Sequence, residues 1–396
     1  MSSNIAPIPV NEMNRILNLY EFDLDYSNLE NTFKDLTYLA AKICGTDISV
    51  FNLIDSYTQW SISSFGLDAG QTPREDSLCQ YTILENDHFE VEDLSLDSRF
   101  QDKSFVDNPL NLRYYFGVPL RTNSGHNIGS LCVLDKDQKK LTPEKIELLK
   151  IIANEIIKKL NTIKVVQELK VKITEEKEVN KRVAHDIRGP ISGIIGLTEI
   201  IKEDSKETET LELVNMINKS GNAVLDLADD ILNQIIGNKE SMFNEFSLLI
   251  LKQKLEKLYD PQAKAKEISF NVLIDSMHEN VTFKKGKLLQ IAGNLISNAI
   301  KFTPNFGDIS VNLQIELKKD QNLLIIEVND NGLGIDEQSI NSILKGNKIT
   351  SVGTNGEMGY GFGLTLIQKL VQSIKGRINI KSELGKGTNF QVIIPI

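Results

Sequence analysis

His185 and Asp186 stand side by side in Val183-Ala184-His185-Asp186-Ile187-Arg188-Gly189-Pro190. Histidine is a competent nitrogen nucleophile near neutral pH, because its ordinary pKa leaves much of it unprotonated. An adjacent acid can orient the ring and take its proton as attack proceeds. Pro190 withholds an N–H from the surrounding helix, and its ring crowds the carbonyl of Asp186, so the backbone beside the histidine is expected to be loosened. Taken alone, the octet equally suits an exposed histidine followed by a structural kink.

Further along, Asn294 and Asn298 are four apart in the helical stretch 287–302 and share a face. Two amide oxygens there can support a hard cation such as Mg2+, which usually keeps waters and phosphate oxygens as its other ligands. Lys301 follows Asn298 closely enough to reach a phosphate. Alone, these are as readily solvent-facing amides and a surface lysine. Next, an apolar strand from Leu323 to Val328 runs into Asn329-Asp330-Asn331-Gly332-Leu333-Gly334-Ile335. Asp330, at the end of a buried strand, offers an acceptor suited to an exocyclic amine such as that of adenine. The glycines let the backbone turn sharply and approach a ligand. Then Gly359-Tyr360-Gly361-Phe362-Gly363-Leu364 opens a helix. Backbone N–H groups at a helix start can hold phosphate oxygens. Either glycine cluster alone is compatible with an ordinary turn; the two in this order are far more specific.

These residues need elements to hold them. Residues 28–44 have helical periodicity and end at Gly45. DISVFNLIDS, TQWSISSFG, RYYFGVPLRT and IGSLCVLD read as strands, the last two joined by the polar turn NSGHN. One central sheet with flanking helices is expected over about 11–140. From Thr142-Pro143-Glu144, a helix start, Ile146, Leu149, Ala153, Ile156, Leu160 and Ile163 recur at spacings of three and four, continuing less regularly through Val166, Leu169 and Ile173. This predicts a long helix needing a partner, as in a coiled coil with a stutter. Two further apolar-striped helices, 183–202 and 209–236, form a hairpin expected to pair with a second copy as a four-helix bundle. Beyond about residue 243 strands and helices alternate again, which predicts a layered α/β domain with a mixed sheet.

The bulk properties narrow the classes. The chain has 396 residues, enough for two or three domains, with 41% hydrophobic and 25% charged residues, an ordinary globular composition. A net charge of −10 gives no reason to expect nucleic acid as a partner. No apolar run approaches the roughly 18–20 residues of a membrane span. The first residues lack a basic segment followed by an apolar core, so no secretory signal is expected. Three dispersed cysteines (Cys44, Cys79, Cys132) exclude a disulfide framework and suit a reducing cytosol. A cytoplasmic protein is expected.

His185-Asp186-Ile187-Arg188-Gly189-Pro190, Asn294-Leu-Ile-Ser-Asn298-Ala-Ile-Lys301-Phe302-Thr303-Pro304, Asp330-Asn-Gly332-Leu-Gly334-Ile335, the Gly359/Gly361/Gly363 cluster and Gly385-Lys-Gly387-Thr388-Asn-Phe390 closely resemble, in order and spacing, the signatures of sensor histidine kinases. This resemblance covers about 175–396. It implies a dimerisation and phosphotransfer hairpin followed by an ATP-binding domain of the Bergerat type, a layered α/β sandwich. It also implies ATP:protein-histidine phosphotransfer: His185 as phosphoacceptor, Asp186 as its base, Asn294 and Asn298 at Mg2+, Lys301 toward phosphate and Asp330 at adenine. Gly332, Gly334, Gly359, Gly361, Gly363, Leu364 and Thr388 would lie around ATP. The N-terminal part, about 15–160, resembles GAF sensory domains through Pro73-Arg74-Glu75-Asp76-Ser77-Leu78-Cys79, Val91 to Phe100, Tyr115 to Arg121 and Gly129 to Asp135.

The expected organisation is a GAF sensor over 1–142, a signalling helix over 143–178, the phosphotransfer hairpin over 179–238 and the ATP-binding domain over 243–396. The expected partners are a second copy of the chain, an aspartate on the receiver domain of a separate response regulator, and a small-molecule or protein stimulus at the sensor. Three features depart from the family patterns: the Phe-containing segment of the ATP lid is not evident, Ile343 and Leu344 standing near its place, and two others follow. Gly189 stands where the family commonly has Thr or Asn, the side chain associated with dephosphorylating the regulator. Cys79 is followed by Gln80 rather than by His, so the usual bilin-attachment pair is missing. A GAF signalling module with a degenerate kinase half is the alternative reading, and a different ATPase sharing the nucleotide fold is a third.

Overall fold

The structure is a computed structural model and describes residues 8–68, 70–107, 109–204, 208–237, 245–284, 287–318, 321–344, 353–354 and 363–396. Met1–Lys164 and Glu245–Ile396 form one compact unit, and Val165–Asn244 a second.

The sensor part opens with α1 (Glu12–Tyr20) and α2 (Glu30–Cys44), which ends at Gly45 as its sequence suggests. Strands β1 (Ile48–Ile54), β2 (Thr58–Phe65), β3 (Gln71–Pro73), β4 (Phe89–Val91), β5 (Tyr114–Arg121) and β6 (Asn127–Asp135) make an antiparallel sheet in the order β3-β2-β1-β6-β5-β4. A short helix, α3 (Cys79–Thr82), follows β3. Alternation along the central strands sorts side chains to two faces. Leu131 and Val133 join Phe51, Leu53 and Phe116 in one core, with Phe33 and Ala40 of α2. Cys132, Leu134, Val50 and Tyr115 face a second core holding Leu78, Cys79, Ile83 and Phe100. All of β1 is therefore buried, Ser49 and Asn52 included, which reflects cover on both sides. Trp60 and Cys79 are buried packing residues.

Charge enters this core at one place. Glu12 is buried and takes Nε and Nη2 of Arg15, each at 2.7 Å, together with Nη1 of buried Arg74. The two guanidinium groups also hold the β1–β2 hairpin: Arg15 Nη1 donates to Ile54 O at 2.7 Å, and Arg74 Nη1 to Asp55 O at 3.2 Å. Burial raises the Glu12 pKa, but the charges and hydrogen bonds of Arg15 and Arg74 outweigh it and bring it down to about 2.

The next helix differs from expectation in two ways. It is one element, α4 (Pro143–Asp204), where separate helical segments meeting near residue 183 were expected, and Pro190 sits inside it as the 183–202 segment implied. Residues 174–183 contain neither proline nor glycine, and restarting a helix there would require a fresh nucleus, so the two segments run on as one. The first stretch of its apolar seam also has its partner within the chain: Leu149, Ala153, Ile156 and Leu160 are buried in the sensor core.

In the second unit, the rest of α4 and α5 (Thr208–Gly237) form a helical hairpin. Ala184, Thr198, Val214 and Ala228 are buried there, and Asn218 Nδ2 donates to Thr198 Oγ1 at 3.0 Å. A Cβ on Gly221 would stand 2.8 Å from Ile195 Cγ1, so glycine permits the close helix approach.

After β7 (Glu245–Phe246), α6 (Leu248–Ala265) starts at Ser247, whose Oγ accepts from Ile250 N at 3.3 Å. Then come β8 (Ser269–Ile274), β9 (Phe283–Lys284), α7 (Leu288–Phe302), β10 (Asp308–Glu316), β11 (Leu323–Asp330), α8 (Glu337–Leu344), α9 (Gly363–Ser373), β12 (Arg377–Glu383) and β13 (Gly387–Pro395). The sheet runs β12-β13-β11-β10-β8, with β8 and β10 parallel and the remaining neighbours antiparallel, and β7 pairs separately with β9. Val311, Leu313, Ile326, Val328 and Val392 meet Leu251, Leu255, Ile291, Leu295, Leu366 and Leu370 of α6, α7 and α9 in the core. The mixed-sheet α/β layer anticipated from the sequence is present.

The Glu12 cluster gives a direct test. Glu12→Gln leaves two buried guanidinium groups without their carboxylate and should destabilise the chain by about 3 kcal/mol in denaturant melts near neutral pH. The wild-type advantage should be complete above pH 4.5, the ordinary carboxylate value, and disappear as pH falls toward about 2. A difference between the two proteins that does not change with pH would show that this carboxylate is not the titrating partner.

Candidate functional site

Helix α7 carries the expected cation and phosphate residues. Its apolar residues Leu288, Ile291, Ala292, Leu295, Ile296 and Ala299 lie in the core, and Asn294, Asn298 and Lys301 recur at helical spacing beside them. Thr303, extended and followed by Pro304, ends the helix. A Cβ at Gly293 would stand 2.1 Å from the Tyr259 hydroxyl, so this position brings α6 and α7 together. Asn294 Nδ2 donates to Gln290 O at 2.8 Å and to the Tyr20 hydroxyl at 2.7 Å. Among the described residues, Asn298 Nδ2 is buried with no hydrogen-bond partner, and so is Thr303 Oγ1. Lys301 is buried, with Nζ 5.2 Å from the centre of the Tyr57 ring.

Asp330 ends β11 between Ile309 of β10 and Thr388 of β13. Its Oδ1 accepts from Gly332 N at 2.9 Å and Thr388 N at 3.2 Å. Burial raises its pKa, and the two backbone donors oppose the rise. The turn that follows depends on glycine. Gly334 has φ +71° and Gly387 φ +108°, and a Cβ at Gly387 would lie 1.9 Å from Asp330 O. Gly332 approaches Phe302 O, which a Cβ there would meet at 2.3 Å. Thus α7, the end of β11 and the start of β13 converge. Thr388 contributes through its backbone N–H, and its hydroxyl bonds to Ser382 Oγ at 2.9 Å. Gly363 is the first residue of α9 and Leu364 packs against the core. Gly359 and Gly361 lie outside the described residues, as does most of the stretch from Lys345 to Glu357.

An adenine nucleotide with a divalent cation fits these groups. Two buried amides on one helix face, whose oxygens can serve a cation, a buried lysine on the same helix and a carboxylate with one oxygen held by two N–H donors suit cation, phosphate and amine respectively. Sequence reasoning missed Thr354, whose Oγ1 donates to Lys301 O at 3.2 Å and Thr303 O at 3.0 Å, clamping the end of α7. It also missed Tyr20 and Tyr57, which reach the site from the sensor part and carry no local signal.

The phosphotransfer candidates lie in the second unit. His185 is on α4 with its side chain 83% exposed, and Asp186 is 71% exposed. His185 Nδ1 is 3.6 Å from Asp186 Oδ1, too long for a direct hydrogen bond but close enough for a small rotation to make one.

Comparison with known proteins agrees with this arrangement. Residues 28–160 match the GAF domain family, 175–234 the His Kinase A (phospho-acceptor) domain, and 284–396 the Histidine kinase-, DNA gyrase B-, and HSP90-like ATPase family. The chain has the architecture of a GAF-domain sensor histidine kinase. Among its relatives, the Autoinducer 2 sensor kinase/phosphatase LuxQ of Vibrio vulnificus is 34% identical over 54% of this chain and 26% of its own length. The Cell-division control histidine kinase PdhS of Brucella canis is 26% identical over 56% of this chain and 23% of its own. A Cyclic di-GMP phosphodiesterase of Pseudomonas aeruginosa is 34% identical over 40% of this chain and 27% of its own. The chain spans about a quarter of the length of these relatives. At Gly189, where the histidine kinase family commonly has Thr or Asn, a Cβ would meet nothing within 4 Å, so the missing side chain is not excluded by crowding. No helix among the described residues is long and apolar enough to cross a membrane.

Asp330→Asn should weaken binding of ADP measured by titration calorimetry by about tenfold or more, since an amide presents either a donor to the adenine amine or a donor to two N–H groups. The thermal midpoint should change little. Unchanged affinity would remove Asp330 from the adenine site.

Proposed function

We propose that the chain transfers the γ-phosphoryl group of ATP to His185 and passes it to an aspartate of a receiver domain on another protein. The observation that carries this reading is the pairing, in one chain, of an exposed His185–Asp186 dyad with a downstream domain in which Asn294, Asn298, Lys301 and Asp330 converge. Asp186 faces the Nδ1 side of the ring, so Nε2 is the attacking atom. Its lone pair forms the bond to the γ-phosphorus, the bond from that phosphorus to the bridging oxygen breaks, and ADP leaves with those electrons. The Nδ1 proton passes to Asp186. Asn294 and Asn298 would hold Mg2+, which when bound neutralises phosphate charge. Lys301 adds a fixed positive charge, and the N–H groups around Asp330 hold that carboxylate for the purine. Positioning and charge account for most of the acceleration expected of such transfers.

The helical hairpin supports a homodimer. Ile194, Leu197, Ile200, Ile201, Met216 and Ile217 are exposed apolar side chains, with Leu197 at 62% and Met216 at 67%. Two helices cannot cover so many apolar residues between them, whereas a second hairpin completes a four-helix bundle. The GAF sensor, responding to a small molecule or protein, is the natural source of regulation.

Incubation with γ-labelled ATP and Mg2+ should give an acid-labile, base-stable phosphoprotein, and His185→Gln should lose the label entirely while still binding nucleotide. An intact nucleotide site with no label under any stimulus would favour the degenerate-kinase reading. Leu197→Glu should shift the chain from dimer to monomer in sedimentation. A dimer that survives this change would place the interface elsewhere.

A further inference from the structure

We infer that the sensor is a direct competitor of the Mg–nucleotide for the polar side of α7, so that the docked sensor holds the kinase off. The inference rests on the proposed phosphotransfer reading and names how that site is regulated. Sensor and ATP-binding domain belong to the same compact unit, and their contact is polar as well as apolar. The Asn294 amide donates to the Tyr20 hydroxyl at 2.7 Å, and Gln290 Nε2 to Asp23 Oδ1 at 3.1 Å. The Tyr57 ring stands 5.2 Å from Lys301 Nζ, and its hydroxyl lies against Gly363, 2.3 Å from where a Cβ would be. Three of the groups expected to receive cation and phosphates, Asn294, Lys301 and Gly363, are therefore in contact with sensor tyrosines.

The contact is anchored away from the site. Lys254 on α6 pairs with Asp25, Lys257 Nζ donates to Ser27 O at 2.8 Å, and the rings of Trp60 and Tyr259 meet edge to face at 5.7 Å. The tyrosines are also tied into the sensor. Tyr20 donates to Asp55 at the tip of β1, and the backbone of that tip is held by Arg15 and Arg74. A change in the sensor sheet can thus move Tyr20 and Tyr57 together. Among the described residues the docked state is not fully satisfied, because Asn298 Nδ2, Gln290 Oε1 and Thr303 Oγ1 are buried without hydrogen-bond partners there. Each such atom weakens the contact, which suits an interface that a stimulus must be able to release. A stimulus can do so only by binding the undocked sensor more tightly.

The test uses the full chain and the anchor rather than the site. Apparent nucleotide affinity falls by the fraction of molecules that are undocked. Lys254→Glu repels Asp25, and Tyr57→Ala removes the ring over Lys301. Each should tighten Mg–ADP binding, measured by calorimetry, by about tenfold if roughly nine in ten molecules are docked. The charge swap Lys254→Glu with Asp25→Lys should return affinity to the wild-type value. Equal affinity across wild type, both single variants and the swap overturns the inference. Histidine labelling is read separately on the same samples. Tighter Mg–ADP binding without any label at His185 leaves the docking standing and removes the phosphotransfer reading. Normal labelling with equal affinities does the reverse. Failure of every variant to bind Mg–ADP overturns both.

Discussion

Helix α7 is buried from Leu288 to Lys301, although it carries Gln290, Asn294, Ser297, Asn298 and Lys301 among its apolar residues. A helix in that position needs partners on both sides. The sheet of the ATP-binding domain supplies the apolar side, where leucine and isoleucine side chains interdigitate at core density. On the polar side, burial of amides and an ammonium group is unfavourable unless something hydrogen-bonds or balances them. Here that something is the sensor. A residue set suited to phosphates and a cation is chemically promiscuous toward any hydroxyl, carboxylate or aromatic face that can reach it, and Tyr20, Asp23 and Tyr57 meet that description. The way this one helix is covered links the fold of both flanking domains to the chemistry of the site.

The precision of that cover originates elsewhere. Glu12, Arg15 and Arg74 form a small charged cluster inside an otherwise apolar sensor, and the arginines fix the carbonyls of Ile54 and Asp55. A buried cluster of this kind adds little net stability, but removing one member is costly. Its structural effect is geometric: the β1–β2 turn cannot drift without breaking several charged hydrogen bonds at once.

Much of this was legible in the sequence, and the reasons are physical. The asparagine-lysine spacing of α7 and the aspartate ahead of its glycines are local patterns, set by helix period and by the conformations open to glycine. The sensor strands were legible through period-two alternation and the polar NSGHN turn. What the sequence did not disclose was the partner of each exposed-looking face. Leu149 and Ile156 announce a seam without saying whether a sister helix or the chain's own core covers it, and the core does. Tyr20 and Asn294 lie far apart in the chain, and nothing near either residue signals the other. The fusion of the expected 143–183 and 183–202 segments into one α4 was not legible, because the apolar seam fades after Ile173 although no glycine or proline between there and Val183 stops the helix.

That continuity has a mechanical corollary. At about 1.5 Å per residue the 62 residues of α4 correspond to roughly 93 Å of helix, and the sequence between Leu160 and His185 carries no glycine or proline. Helix period sets angular phase along such a stretch. Adding one residue between the embedded stretch and the histidine would turn the imidazole by about 100° around the axis, whereas adding seven would leave it within about 20° of its original azimuth.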